Sequence, residues 1–315
     1  MTESPPPTHR RTLWNVLRWT VSLGAIGYLA WFVDWREAAD AFSRLRPWAF
    51  ALAVGSVALG VVAATVRWRA LLVAFGGTDL PRWSELLRLY LVSLFYNTFL
   101  PGAVAGDVVR GVASRRVFGE KGATAGVAVV FVERVLGLAG LLALTASTAL
   151  YSNIGDRRWV VPLAVLSGLA AVGAFVAVAA GERVASRLPG FAGRWASKLP
   201  RLERLGPVLP AFLLSIVTHV VVALAGHALI VSMAKDTAVT ESLAVIPLAS
   251  AAAFFPFTVS GMGARETAFV HLYALVGVPS SISVITALGL WFSQTVVAAV
   301  GGVLVLLRPV SMSSP

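Results

Sequence analysis

The stretch LPGAVAGDVVR, residues 100–110, decides how this chain folds. It sets a Pro-Gly break, an acid and an arginine inside an apolar region. A second stretch, FPFTVSGMGARE at residues 255–266, repeats the design. Pro101 precedes Gly106 by five positions and Arg110 by nine, and Pro256 precedes Gly261 and Arg265 by the same intervals. Proline removes a backbone donor and glycine loosens the chain, so each stretch interrupts a helix. Two such interruptions in corresponding halves point to a transport site between repeats.

Composition puts both breaks in a bilayer. The chain has 315 residues, 57% of them hydrophobic and only 13% charged, which is about half the soluble norm. The mean hydropathy is +0.80. An all-α integral membrane protein follows. Lys and Arg number 26 against 15 acids, a net charge of +11. In a membrane protein this excess marks cytoplasmic loops facing anionic headgroups, and no nucleic-acid module is visible. There are no cysteines, which excludes disulfides, thiolate metal sites and cysteine nucleophiles.

Taken in order, residues 1–12 read as a disordered cytoplasmic tail behind Pro5, Pro6 and Pro7. Six runs meet the length of about 20 residues needed to span: 13–33, 48–66, 123–150, 159–180, 208–231 and 282–307. Arg67 and Arg69 are expected to stop the second span, and residues 34–46 to form an external loop. The two broken segments, about 86–113 and 243–275, have arms too short to cross alone. Arg82 and Arg88 before the first, with Arg115 and Arg116 after it, predict a re-entrant hairpin entering from the cytoplasm. The second has no basic flank and is predicted to enter from outside. The result is six full spans plus two re-entrant hairpins in an inverted-topology repeat. The transport domain covers 13–307, and 308–315 forms a tail. Both termini then lie in the cytoplasm, at the cell (inner or plasma) membrane. The basic, amphipathic loop 181–206 is expected to lie on the cytoplasmic leaflet.

Charges at bilayer depth cost roughly 2.5–3.5 kcal/mol each on insertion scales, so they must face protein or water. Asp107, Arg110, Glu133, Arg134, Arg265 and Glu266 are the candidate substrate-binding residues. Asp107 and Arg110 share a helix face and can pair. Glu133 and Arg134 diverge by about 100°, so each needs a different neighbour, and the same is expected of Arg265 and Glu266. A guanidinium fork matches two phosphate oxygens. Helix-start amides at 103–106 and 261–264 are a second anion donor set. The hairpin breaks are Pro101, Gly102, Gly106, Pro256, Gly261 and Gly263. The competing use of the six ionised residues is to lock the hairpin tips by ion pairs.

Other features read more plainly. Gly102-x-x-x-Gly106 and Gly122-x-x-x-Gly126 are small-residue packing motifs. His219 and His227 sit about 80° off a shared face, so no metal site is expected. His271 is a hydrogen-bonded helix residue. Gln294, near Trp291 and Ser293, makes a polar spot in the last span. No Walker A motif is present, and no cofactor is expected.

The run NTFLPGAVAGDVVRG…VVFVERVLGLAG, with FPFTVSGMGARETAFV and the Gly277-Val278-Pro279 turn, resembles the lysyl-phosphatidylglycerol synthase transmembrane (flippase) domain family. The resemblance covers roughly residues 13–307. It implies two re-entrant hairpins and movement of lipids between leaflets. Arg110, Glu133, Arg134, Arg265 and Glu266 match the family pattern, as does Asp107. The implied partners are membrane lipids: anionic or aminoacylated phospholipid, or a glycolipid or isoprenoid-linked lipid. A homo-oligomer is compatible with this reading. The chain stops at Pro315 without a soluble aminoacyl-transferase domain, so it is expected not to make the lipid and not to be an enzyme. A lipid flippase or transporter is the leading function. The alternatives are an intramembrane lipid-headgroup transferase and a non-catalytic membrane partner subunit.

Overall fold

A computed structural model describes residues 8–100, 104–152, 154–180, 201–233, 236–252 and 261–308. All regular structure among them is helical. In chain order the helices are α1 (Thr8–Phe32), α2 (Trp35–Arg44), α3 (Pro47–Ala74), α4 (Trp83–Phe99) and α5 (Ala105–Ala113). A 3-10 stretch (Arg115–Lys121) leads to α6 (Gly122–Ala149) and α7 (Arg157–Ala180). Then come α8 (Val208–Ser232), α9 (Val239–Ala251), α10 (Ala264–Ala274) and α11 (Ser280–Leu307).

Five helices, α3, α6, α7, α8 and α11, are long and apolar enough to cross a membrane. The sixth expected span corresponds to the Val16–Phe32 part of α1, which qualifies only together with α2 across an 84° bend. The all-α membrane class and five to six spans therefore hold. The breaks Pro101, Gly102 and Pro256, and residues 181–200 of the basic loop, lie outside the described residues.

Three boundaries differ from the sequence expectation. α1 begins at Thr8, so residues 8–12 are helical. The external loop 34–46 contains α2, because Asp34 caps it by accepting from the amides of Arg36 and Glu37 at 2.9 and 3.1 Å. Ala38 and Ala41 are its buried face. Most important, α3 does not stop at Val66. It runs on to Ala74, with Arg67, Trp68, Leu71 and Leu72 all buried. The apolar run 70–75 continues the helix, and a partner on another helix neutralises Arg67.

Both interrupted segments fold back so that their arms touch. α4 and α5 meet at Gly106, where an added Cβ would lie 1.9 Å from the Ser93 carbonyl oxygen. Only glycine fits that crossing. α9 and α10 meet where Tyr273 Oη donates to Ser242 Oγ at 3.2 Å. The start of α4 is tied to the end of α11. Arg88 pairs with Glu85 at 2.8 Å and also donates to the backbone carbonyl of Arg308 at 2.8 Å.

Two large apolar cores result. One joins Trp68 and Leu72 of α3, Leu86 and Leu89 of α4, and Val129 and Leu136 of α6. The other joins Ile230 of α8, Ile246 of α9, Phe269 and Tyr273 of α10, and Ala287 of α11. Each core is built around one interrupted segment, and residues next to both cores line the polar cavity described next.

Candidate functional site

A cavity of about 430 Å3 is walled by α3, α4, α5, α6, α8, α9, α10 and α11. Its ionised lining residues are Arg67, Asp107, Arg110, Glu133, Arg134 and Arg265. Four arginines and two carboxylates line it; counting Glu266, which pairs with Arg265 from outside the wall, one positive charge is left over (4 − 3).

Five of these charges form one connected network, and Arg265 pairs with Glu266 instead. Glu133, nearly fully buried, receives Arg67 Nη2 at 2.8 Å and Arg110 Nη1 at 2.7 Å on its two oxygens. The second contact is an ion pair without hydrogen-bond alignment. Tyr90 Oη donates to Glu133 Oε1 at 3.2 Å. Arg110 also reaches Asp107 at 3.1 Å, across one helical turn. Arg134 pairs with the other oxygen of Asp107. The Arg110 guanidinium carbon sits 4.7 Å from the Trp68 ring centre and 4.3 Å from that of Tyr90, which adds cation–π attraction. Arg67 further donates to Ser215 Oγ on α8 at 3.0 Å.

Accessibility separates the arginines. The side chains of Arg110 and Arg67 are 2% and 10% exposed, whereas those of Arg134 and Arg265 are 34% and 19% exposed. Arg110 and Arg67 hold the helices together; Arg134 and Arg265 are the cations that a ligand can reach.

Five of the six expected residues face this one cavity. Asp107, Arg110, Glu133 and Arg134 form the network, and Glu133 and Arg134 do take different partners. Arg265 faces it from the opposite side. Glu266 does not. It pairs with its own neighbour, Arg265, at 2.6 Å and accepts from the Gly263 amide at 2.9 Å. The expectation that Arg265 and Glu266 need separate partners therefore fails. Both side chains bend along the helix start, where Glu266 supplies the first-turn cap. Gly263 has φ +79, and a Cβ there would meet Ala25 Cβ of α1 at 2.7 Å.

Two of the helix-start amides are committed internally. The Gly106 amide donates to Asn97 Oδ1 at 2.9 Å and that of Gly263 to Glu266, so neither is available as an anion donor. In the Gly122–Gly126 pair only Gly126 makes a close crossing, against the Gly111 carbonyl; Gly122 has open space around its Cα. His219 Nε2 lies 3.0 Å from the Gly137 carbonyl oxygen and His227 Nδ1 lies 3.1 Å from Ser242 Oγ. No metal-type cluster of His, Asp and Glu occurs among the described residues. His271 bridges the Thr267 carbonyl and Tyr28 Oη at 2.8 and 3.0 Å. Gln294 lines the cavity and donates to Thr98 Oγ1 at 3.4 Å.

Sequence reading missed Arg67, Tyr90, Ser93, Asn97 and His219. Ser93 Oγ and Asn97 Nδ2 both donate to Asp107, at 3.2 and 3.3 Å. A signal for three of them was present: Tyr90, Ser93 and Asn97 recur at i, i+3 and i+7, a polar stripe on one face of an apolar helix.

Residues 15–302 match the family described as the lysylphosphatidylglycerol synthase TM region, so the match takes in nearly every described helix, and the chain belongs to that family. It is a multi-pass membrane protein involved in lipid handling. No curated protein matches the chain.

Proposed function

We propose that this family member carries a phosphate-bearing lipid headgroup between leaflets through the central cavity, and does not chemically alter it. The observation that carries the reading is the arginine-rich wall among apolar helices: four arginines face the cavity against two carboxylates, and even with Glu266 behind Arg265 one positive charge is left over. A buried surplus of guanidinium is costly unless an anion or water meets it. Arg134 and Arg265 are the phosphate contacts, one beside each interrupted segment. Asp107 and Glu133 hold the arginines in place. An aminoacylated phospholipid also fits, because its cation can lie against Asp107.

The same reading takes the two interrupted segments as re-entrant. At 1.5 Å per residue, α4 and α5 reach about 26 and 14 Å, and α9 and α10 about 20 and 17 Å, all short of the roughly 30 Å hydrocarbon core. Hairpins dipping from opposite faces would bring Asp107, the partner of Arg134, and Arg265 towards one midplane site, as inverted repeats do.

The test is exchange of fluorescent phosphatidylglycerol between leaflets of proteoliposomes. Arg134→Gln and Arg265→Gln, both at partly exposed side chains, should keep the fold and abolish exchange. Unchanged exchange in both variants would sink the reading. Chemical conversion of the lipid would move it to the transferase alternative.

A further inference from the structure

A second hollow, of about 450 Å3, lies beside the charged cavity. Both volumes fall within the about 300–1,000 Å3 usual for ligand sites. Its character is the opposite. Trp19, Ile26 and Leu29 of α1 face Met262, Leu288 and Trp291 across it. Trp35, at its edge, has its indole N–H committed to the Ala30 carbonyl at 2.9 Å and so presents hydrocarbon. Several lining side chains, among them Trp19, Ile26, Phe99 and Met262, are exposed, so the hollow opens to the outside of the helix bundle.

Arg265 lines both hollows. Thr98, on the apolar side, is hydrogen-bonded to Gln294, on the charged side. The wall between the two is therefore the Arg265–Glu266 pair and the Thr98–Gln294 pair. A ligand with a phosphate in the charged cavity and a hydrocarbon tail meets complementary surfaces only when the tail runs past this wall.

We infer that the apolar groove seats an acyl chain of the lipid whose phosphate lies in the central cavity, with Arg265 at the junction of head and tail. This rests on the transport reading above and adds to it a side-facing route for the chain.

The probe is phosphatidylglycerol carrying a diazirine on one long acyl chain, in proteoliposomes of the full chain. Photolysis should label peptides containing Ile26, Met262 or Leu288 above the level found on the exposed faces of α7. Ala30→Trp, at an exposed position that lines the groove, should slow exchange of the long-chain lipid, because the indole fills the space that the chain would occupy. Exchange of a dihexanoyl lipid with the same headgroup should be unchanged. Uniform labelling over all membrane-facing helices, with normal long-chain exchange in Ala30→Trp, would overturn the groove assignment and leave the headgroup reading standing. So would protein–protein crosslinks across the groove that show a second copy covering it. Loss of dihexanoyl exchange as well would mark Ala30→Trp as misfolded, and Leu288→Ala, which enlarges the groove, then decides: long-chain and dihexanoyl exchange altered to the same extent would overturn the assignment. Normal exchange in both Arg134→Gln and Arg265→Gln would instead remove the transport reading itself.

Discussion

Arg67 Nη2 stands 2.8 Å from Glu133 Oε1, so an arginine near the end of α3 neutralises an acid in the middle of α6. This contact lets α3 run past residue 66 and makes Glu133 the hub for two arginines. Removing one partner of a buried pair costs about 3–5 kcal/mol, because the other is left uncompensated.

Glu133→Ala should therefore lower the thermal stability of the detergent-solubilised protein more than any other single change in the network. Arg67→Met alone should also destabilise it. The double variant should lose clearly less than the sum of the two, since contacting residues couple. Additive losses in a thermal unfolding series would show that the pair is not the joint.

Gly106→Ala forces a methyl to 1.9 Å from the Ser93 carbonyl oxygen. Folded yield should collapse, because the backbone of α4 cannot give way as a flexible side chain can. Gly173→Ala, with nothing within 4 Å, is the matched control and should express normally. Equal yields by size-exclusion chromatography would refute the close crossing.

Asn97 accepts from the Gly106 amide and donates to Asp107. Asn97→Ala loses the cap, worth typically about 1 kcal/mol. Asn97→Asp keeps a capping oxygen but sets a second carboxylate beside Asp107 and lowers the cavity's positive surplus. The aspartate variant should be the slower of the two in exchange of an anionic lipid. Faster exchange in Asn97→Asp would contradict the anion-binding reading.

The chain has no cysteine, so single cysteines report sidedness without background. Tyr151→Cys, at a residue 80% exposed, should react with an impermeant maleimide on intact cells. Thr78→Cys, also exposed, should react only after permeabilisation. The opposite pattern would invert the topology.

How far the sequence could be read follows from the range of each interaction. The two interruptions and the charged residues beside them are local, and so the helical membrane class and most of the charged cluster were legible. Arg67 was not. A basic residue at the end of an apolar run reads as a stop, and only Glu133, 66 positions away, makes it a mid-bundle charge. Glu266 failed in the other direction. Its reach back to the Gly263 amide is local capping, and Gly-x-x-Glu at a helix start carries that signal. The stripe Tyr90, Ser93, Asn97 was legible by period but was masked by the search for ionised residues. α2 was hidden by its mixed charge, which reads as loop although Asp34 caps a helix.

The tie between Arg88 and residue 308 runs to a main-chain oxygen rather than to a side chain. Position 308 can therefore change residue type and keep that bond, losing only the 3.9 Å contact of the Arg308 guanidinium with Glu85, provided the peptide geometry there is kept. Position 88 has no such latitude, and lysine, with one ammonium where arginine has a fork, would have to choose between Glu85 and the far end of the bundle.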